Sequence, residues 1–331
     1  MTNIKYILLA LILSAAISCG KDPNIESAEE PVEWRFAVVG DTHVSYDSDT
    51  ISGMIPYLME DSIDLILLCG DIVEGGRMTS AAELEAELNL WQTIFEPLYA
   101  QGIGIYPVRG NHEDDATNNI SVWNSIFSGE KALPQNGPSG ETNLTYSFEH
   151  KNALFIGLDT YVDIHKINQD WLDEQLDANN QPHVFAFGHE AAFKAFHDDC
   201  LDDFPAERNT FWKSLSDAGA KTYFCGHDHF FDAIEIEDGD GLVDNNVYQI
   251  LVGGGGGWLM SRYNYNGVND DYIINPIYHR KEHGYALVEV SGETMLDLNV
   301  AITWKERVVE GTIVKYISTS NVISYQIPTN Q

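Results

Sequence analysis

Basic residues are scarce in this chain: 18 Lys and Arg face 51 Asp and Glu in 331 residues, for a formal net charge of −33. Such a chain repels a polyanion at long range and carries no basic stripe, so DNA and RNA are not expected as substrates or partners. Cysteine is nearly absent as well, with 4 residues. Once Cys19 is set aside, for a reason given below, Cys69, Cys200 and Cys225 remain. An odd set cannot all pair, which excludes a disulfide framework. Cys69 and Cys225 lie inside apolar runs and are read as small buried hydrophobes. Low-complexity tracts are missing, and the apolar run Tyr6 to Ile17 is too short to span a bilayer. What the chain does have is 44% hydrophobic residues, ample for a core.

It also has a repeated arrangement. Apolar runs that read as buried strands (WRFAVVG, IDLILLCG, GIGIYPVRG, HVFAFG and KTYFCG) each lead into residues of metal-ligand type. In order these are Asp41-Thr42-His43, Gly70-Asp71, Gly110-Asn111-His112-Glu113, Gly188-His189 and Gly226-His227-Asp228-His229. Strand followed by ligand, five times, predicts that the ligands gather at one edge of a sheet, where sites in α/β proteins sit. Asp, His and Asn without Cys suit hydrolytic metals rather than a structural zinc knot.

The ordered set resembles the calcineurin-like metallophosphoesterase superfamily, whose pattern runs D-x-H, G-D, G-N-H-[DE], H and G-H-x-H. The resemblance spans roughly residues 33 to 305. It implies an α/β fold of two face-to-face mixed β-sheets flanked by helices, in four layers. It also implies a dinuclear centre of divalent or trivalent ions (Mn, Fe or Zn). Carried over position by position, Asp41, His43 and His229 would hold the first ion and Asn111, His189 and His227 the second, with Asp71 bridging. His112 and the bridging Asp71 would be the catalytic residues, His112 lying over the substrate to stabilise the transition state or protonate the leaving group. Glu113 is expected to hold the ring nitrogen of His112, and Asp228 is either a supporting acid or a solvated loop residue. The implied reaction is hydrolysis of phosphate mono- or diesters by attack of a metal-bridging hydroxide on a small phosphorylated substrate. The Tyr that ligates ferric iron in purple acid phosphatases, shortly after the G-D Asp, has no counterpart in Ile72, Val73, Glu74 and Gly75, so a violet colour is not expected. The separate C-terminal domain of periplasmic 5′-nucleotidases is not expected either.

Ahead of the fold, Lys5, the apolar run to Ile17 and Ala16-Ile17-Ser18-Cys19 resemble a bacterial lipoprotein signal. Residues 1–18 are expected to be removed and 19–32 to form a flexible tether on a lipidated Cys19. Residues 33–331 would form one phosphoesterase domain on the bacterial cell envelope. Plain cleavage after Ser18 is the alternative.

Between the motifs, helices are predicted at Asp49 to Asp61, Thr79 to Tyr99 (Ser80 as N-cap, Glu83 completing a capping box), Asn168 to Asn179 and Pro205 to Ala218. Strands are predicted at Leu144 to Glu149 and Ala153 to Asp159. Residues 113–143 read as a long connection with one short helix near Ile120 to Phe127. From Phe231 on, a β-meander is expected to complete a second sheet. Gly253 to Gly257 read either as a close backbone approach to the metal cleft or as a flexible turn. Tyr263, Tyr265 and Tyr272 are candidate pocket residues, and Arg77 and Arg109 candidate phosphate holders or surface ion pairs. His150, His165, His183, His197, His279 and His283 match no motif. The competing functional reading is a cell-envelope binding lipoprotein that uses the same fold without turnover, and a nuclease is a weaker third.

Overall fold

The computed structural model of the protein describes residues 32–239, 246–261, 268–269, 271–294 and 297–327. The expected signal peptide, tether and Cys19, and also Tyr263 and Tyr265, lie outside the described residues.

The chain begins with β1 (Val32–Val39), α1 (Ser48–Glu60), β2 (Leu65–Cys69), α2 (Ala81–Ala100) and β3 (Gly104–Val108). Next come α3 (Asn111–Asp114), α4 (Asn119–Ile126), β4 (Tyr146–His150), β5 (Ala153–Gly157), α5 (Gln169–Ala178), β6 (His183–Phe187), α6 (Pro205–Asp217) and β7 (Thr222–Cys225). The remainder is all strand: β8 (Phe231–Glu237), β9 (Val247–Val252), β10 (Val268–Asn269), β11 (Tyr272–Arg280), β12 (Gly284–Thr294), β13 (Asp297–Glu310) and β14 (Ile313–Ile327). The local signals act as their chemistry requires. Ser80 accepts from the Glu83 amide while the Glu83 carboxylate takes the Ser80 amide, and Asp47 caps α1 by accepting from Asp49 and Thr50. β2, an unbroken apolar run, is buried along its whole length, as a strand covered on both faces must be.

Two mixed sheets result, ordered β14-β13-β12-β1-β2-β3 and β10-β11-β8-β9-β7-β6-β5-β4. Within them β1, β2 and β3 run parallel, as do β5, β6, β7 and β9. The sheets pack face to face through aromatic side chains. Phe36 of β1 lies 4.9 Å from the ring of Phe185 and 5.2 Å from that of Phe155, both from the second sheet. Phe231 stacks on Trp304 at 4.3 Å. Apolar faces of α1, α2 and α4 join this central core, and a second core lies under α5 and α6 on the far face of the second sheet. The architecture is the two-sheet sandwich with flanking helices. Among the described residues no helix is long and apolar enough to cross a membrane.

One expectation is corrected. The C-terminal strands do not all complete the second sheet: β8, β9 and β11 join it, but β12, β13 and β14 extend the first from the edge of β1. Strand β11 forms against its own local propensity. It contains Asn275 and Pro276, poor strand formers, and it pairs with β8 through a register shift at Pro276, which spares the missing amide donor.

Candidate metal centre

β1, β2 and β3 of the first sheet lead, two or three residues on, to Asp41, Asp71 and Asn111, while β6 and β7 of the second lead to His189 and His227. The ligand types therefore gather where the carboxyl ends of two sheets meet, not along one sheet edge. The junction is tight. A Cβ on Gly40 would stand 3.3 Å from the Gly226 Cα, and one on Gly226 would lie 2.5 Å from an Asp41 carboxylate oxygen. A Cβ on Gly110 would lie 2.1 Å from Asp71 Oδ1. A backbone bond crosses the junction as well, from the Gly40 amide to Val252 O at 2.9 Å, while within each sheet the Asp41 amide donates to Gly70 O at 3.0 Å and the Gly226 amide to His189 O at 2.8 Å.

The chain is bent sharply here. Asp41, His43, Asp71 and His227 all have left-handed backbone, with φ of 60°, 40°, 47° and 70°. Such conformations are costly for residues with side chains and persist where the surroundings over-determine them, typically at functional sites.

Four histidines are oriented by one device. Nδ1 of His43 faces the Glu74 carboxylate at 3.1 Å, Nδ1 of His189 faces Cys69 O at 2.7 Å, and Nδ1 of His229 faces Trp258 O at 2.9 Å. Nδ1 of His112 bonds to Glu74 O. An ionised carboxylate or a carbonyl only accepts, so each Nδ1 carries the hydrogen and each Nε2 is left with a lone pair. Those lone pairs converge. His43 Nε2 and His229 Nε2 are 3.1 Å apart, and His189 Nε2 lies 3.0 Å from Asn111 Oδ1 and 3.4 Å from Asp71 Oδ2. His229 Nε2 lies 3.5 Å from Asp41 Oδ1, and His43 Nε2 3.7 Å from Asp71 Oδ2. Asp41 and Asp71 are themselves fixed by backbone amides, Asp41 by that of His227 and Asp71 by that of His112.

Among the described residues, two groups able to hold a metal ion share a carboxylate: Asp41, His43, Asp71 and His229, and Asp71, His189 and His227; a third joins His43, Glu74 and His112. Asp71 is common to the first two, and Asn111 closes on the second of them through His189. Converging lone pairs with two buried carboxylates suit divalent metal ions, which satisfy all of them at once. The electrostatics point the same way. Burial opposes ionisation of Asp71, but the imidazoles of His189, His112 and His43 overcome it and hold the carboxyl well below its usual range. Burial likewise disfavours the charged form of His189, yet Asp71 outweighs it and pushes the group up to about 10. A proton thus takes the place that a cation of the same sign would fill.

His112 stands half-buried, with Nε2 4.0 Å from Asp71 Oδ2. Its expected partner is corrected. Glu113 does not touch its ring but is fully buried and folded back on the backbone, accepting from the amides of Asp71 (3.1 Å), Val73 (3.0 Å) and Gly110 (2.7 Å). It fixes the loop that carries Asp71, while Glu74 serves both His43 and His112.

Asp228 is buried rather than solvated. Its carboxylate accepts from the amides of Phe196 and His197 and lies 2.6 Å from His197 Nδ1. His197 in turn packs at 4.5 Å on the ring of His227, and Asp199 Oδ1 lies 3.5 Å from His227 Nε2. Glu74, His197 and Asp199 were missed in the sequence. For His197 and Asp199 no periodicity could reveal them, since they come from an irregular segment. For Glu74 the sign was an acid three residues past the G-D aspartate.

The arginines are not phosphate holders. Arg109 is fully buried against Asp159 (2.7 Å), Asp114 and Asn119, and Arg77 pairs with Asp115 at 3.3 Å on the surface. Tyr272 is packed in the second core against Phe193 rather than lining a pocket. The glycine run does approach the cleft closely: a Cβ on Gly257 would lie 2.7 Å from the His229 ring and 2.8 Å from His43 Cδ2.

Comparison with known proteins bears on the family and the fold. The sequence profile of the calcineurin-like phosphoesterases matches residues 35–231. The chain is 24% identical over 245 residues to purple acid phosphatase 23 of Arabidopsis thaliana, covering 67% of this chain and 52% of that one, so it spans about half the length of that curated relative. Among solved structures, the purple acid phosphatase PPD1 of yellow lupin aligns with a TM-score of 0.58 at 16% identity, over 87% of this chain and 54% of the other. PhoD aligns with a TM-score of 0.64 at 12% identity, over 91% and 71%. GAP50, the anchor in the inner membrane complex of Plasmodium, gives 0.57 at 15% identity, over 87% and 90%.

Proposed function

The chain belongs to the calcineurin-like phosphoesterase family, and from that membership we propose that it is a metal-dependent phosphoesterase with a dinuclear centre, hydrolysing small phosphate mono- or diesters. The observation that carries the reading is Asp71, the single carboxylate common to both metal-binding groups. In this reading Asp41, His43 and His229 hold one ion, Asn111, His189 and His227 the other, and Asp71 bridges. Bound ions would supply charge neutralisation of the phosphate and an acidified water as nucleophile.

The remaining chemistry belongs to the chain. The Glu74 carbonyl keeps the hydrogen of neutral His112 on Nδ1, so a second proton would go to Nε2, the nitrogen nearer Asp71. Burial opposes that proton, but Asp71 and the Glu74 carbonyl favour it, and the group is raised above its ordinary value. His112 is thereby suited to give a proton to the departing alkoxide. Glu113 holds the backbone of Gly110, Asp71 and Val73, so the bridging carboxylate and His112 keep one spacing.

The test is hydrolysis of p-nitrophenyl phosphate beside bis-p-nitrophenyl phosphate by metal-stripped protein reloaded with Mn²⁺, Zn²⁺ or Fe²⁺. Turnover of one ester well above the other is expected, and it selects monoesterase or diesterase. No turnover of either with metals bound would overturn the enzyme reading in favour of a binding protein. GAP50, whose described role is that of an anchor, motivates keeping that second reading. Attachment to a bacterial envelope through a lipidated Cys19 belongs to the same proposal and rests on the lipoprotein-like leader. Mass spectrometry of the mature N-terminus tests it, because an unmodified residue following Ser18 would refute it.

A further inference from the structure

The protein has 7 tryptophans, and Trp34, Trp91, Trp123, Trp171, Trp212 and Trp304 are all buried. Trp258 alone is 71% exposed. A ring of that size left in water forgoes a large hydrophobic gain, which calls for a reason. Its mounting supplies one. The Trp258 carbonyl accepts from His229 Nδ1 at 2.9 Å, the Gly257 amide donates to Asp41 O at 2.9 Å, and the Met260 amide donates to His229 O at 2.9 Å. The backbone on both sides of this exposed ring is thus tied to residues of one metal-binding group.

A second exposed aromatic belongs to the adjoining segment. Tyr46, 58% exposed, follows His43 in a turn closed by its own amide on His43 O at 2.9 Å. A Cβ on Gly256 would stand 3.2 Å from Asp47 O and 2.4 Å from Thr42 O, so the segments bearing Tyr46 and Trp258 lie against each other. Charge adds a further argument. With a net charge of −33 the surface does not draw an anionic ester in from a distance, so affinity beyond the metal ions has to come from contact with the rest of the substrate.

We propose that Trp258, with Tyr46 beside it, forms a rim subsite that stacks on the alcohol portion of the substrate, and that the preferred esters carry a flat aromatic ring on that alcohol. This deepens the phosphoesterase reading and rests on it. Stacking on a fixed aromatic face needs a flat partner, whereas a puckered ring of the same size gains only its apolar area.

The experiment compares benzyl phosphate with cyclohexylmethyl phosphate and ethyl phosphate on Mn²⁺-loaded protein. All three release a primary alkoxide, so the comparison isolates the ring. The expected result is kcat/KM about tenfold higher for benzyl phosphate than for cyclohexylmethyl phosphate, about 1.4 kcal/mol. Trp258→Ala should remove most of that preference, bringing kcat/KM for benzyl phosphate toward that for cyclohexylmethyl phosphate, and Trp258→Phe should keep part of it. Because the side chain is exposed, neither variant endangers the fold. Turnover of all three esters without ring preference, or an equal loss on all three in Trp258→Ala, would overturn the subsite and leave the phosphoesterase reading intact. No turnover of any of them, either as monoesters or as the corresponding methyl diesters, would overturn both.

Discussion

Under the proposed dinuclear arrangement, the two halves of the metal centre are anchored by different means. His189 is wholly buried, and its ring is set by a backbone carbonyl, that of Cys69 at the end of β2. His43, in the other half, is set by the carboxylate of Glu74, a side chain that is 42% exposed, and His229 by the carbonyl of Trp258 on the glycine-rich loop. In one half a ligand is set by backbone at the end of a strand, and His227 beside it meets Asp199 and His197 of an irregular segment. The other reaches the rim, where a side chain and a loop orient the ligands. In the carboxylate-held arrangement a single substitution can retune a ligand without unfolding a strand, so this is the half in which the protein can be adjusted.

The most severe way to break the contrast is to remove the residue both halves share. Asp71→Ala should lower kcat roughly a thousandfold, at the upper end of what one polar group contributes to a transition state, and should release metal from both halves, read by elemental analysis. Less than tenfold loss with metal content intact would show that Asp71 bridges nothing.

Next in size is a paired test. His189→Ala removes a ligand, whereas Glu74→Ala removes only the group that orients one. The first should abolish one metal stoichiometrically, and the second should weaken Mn²⁺ affinity by roughly 10–100-fold while both ions still load at saturation. Equal losses in the two variants would erase the distinction between the halves.

Smaller still is Asp228→Asn. The neutral amide keeps one acceptor for the backbone of residues 196–197 but no longer offers His197 Nδ1 a carboxylate. The expected effect is a fall of roughly tenfold in kcat/KM with metal content unchanged, as for loss of an outer hydrogen bond.

The mildest test concerns the strand that delivers His189. His183 opens β6 fully buried, with neither ring nitrogen partnered, and burial lowers it to about 4. Between about 6.5 and about 4 the unfolded chain binds a proton here that the folded chain refuses, so stability falls as the pH falls through that window. The sign follows from a folded value depressed below the unfolded one. Chemical denaturation from pH 7 to pH 4.5 should show the decline, and His183→Leu should flatten it. An unchanged slope in the variant would remove His183 from the account.

Much of the fold was legible because it depends on local physics. The buried run Leu65–Cys69, the capping box at Ser80 and Glu83, and the proline at the start of α6 each stabilise one element whatever lies around it. The strand bearing Asn275 and Pro276 was not legible, since its own propensities argue against it and pairing with β8 overrides them. At the site, glycines next to ligands could be read as positions of close approach. The partner of His112 could not, because Glu113 and Glu74 are both acids within reach along the chain, and only the left-handed turn at Asp71 determines that Glu113 folds back on the backbone.

By itself, the sequence determined the set of ligand types, their order and their positions after strands, because hydrophobic runs and flanking glycines are properties of short stretches. Only the tertiary structure decided that three of those strands belong to one sheet and two to the other, with β12 to β14 closing the first sheet through β1. It alone decided which acid holds which histidine, that Asp228 is buried beneath His197, and that a lone exposed tryptophan is tied to His229. Those are contacts between segments far apart in the chain, fixed by how the two sheets pack, and no short stretch of sequence carries that information.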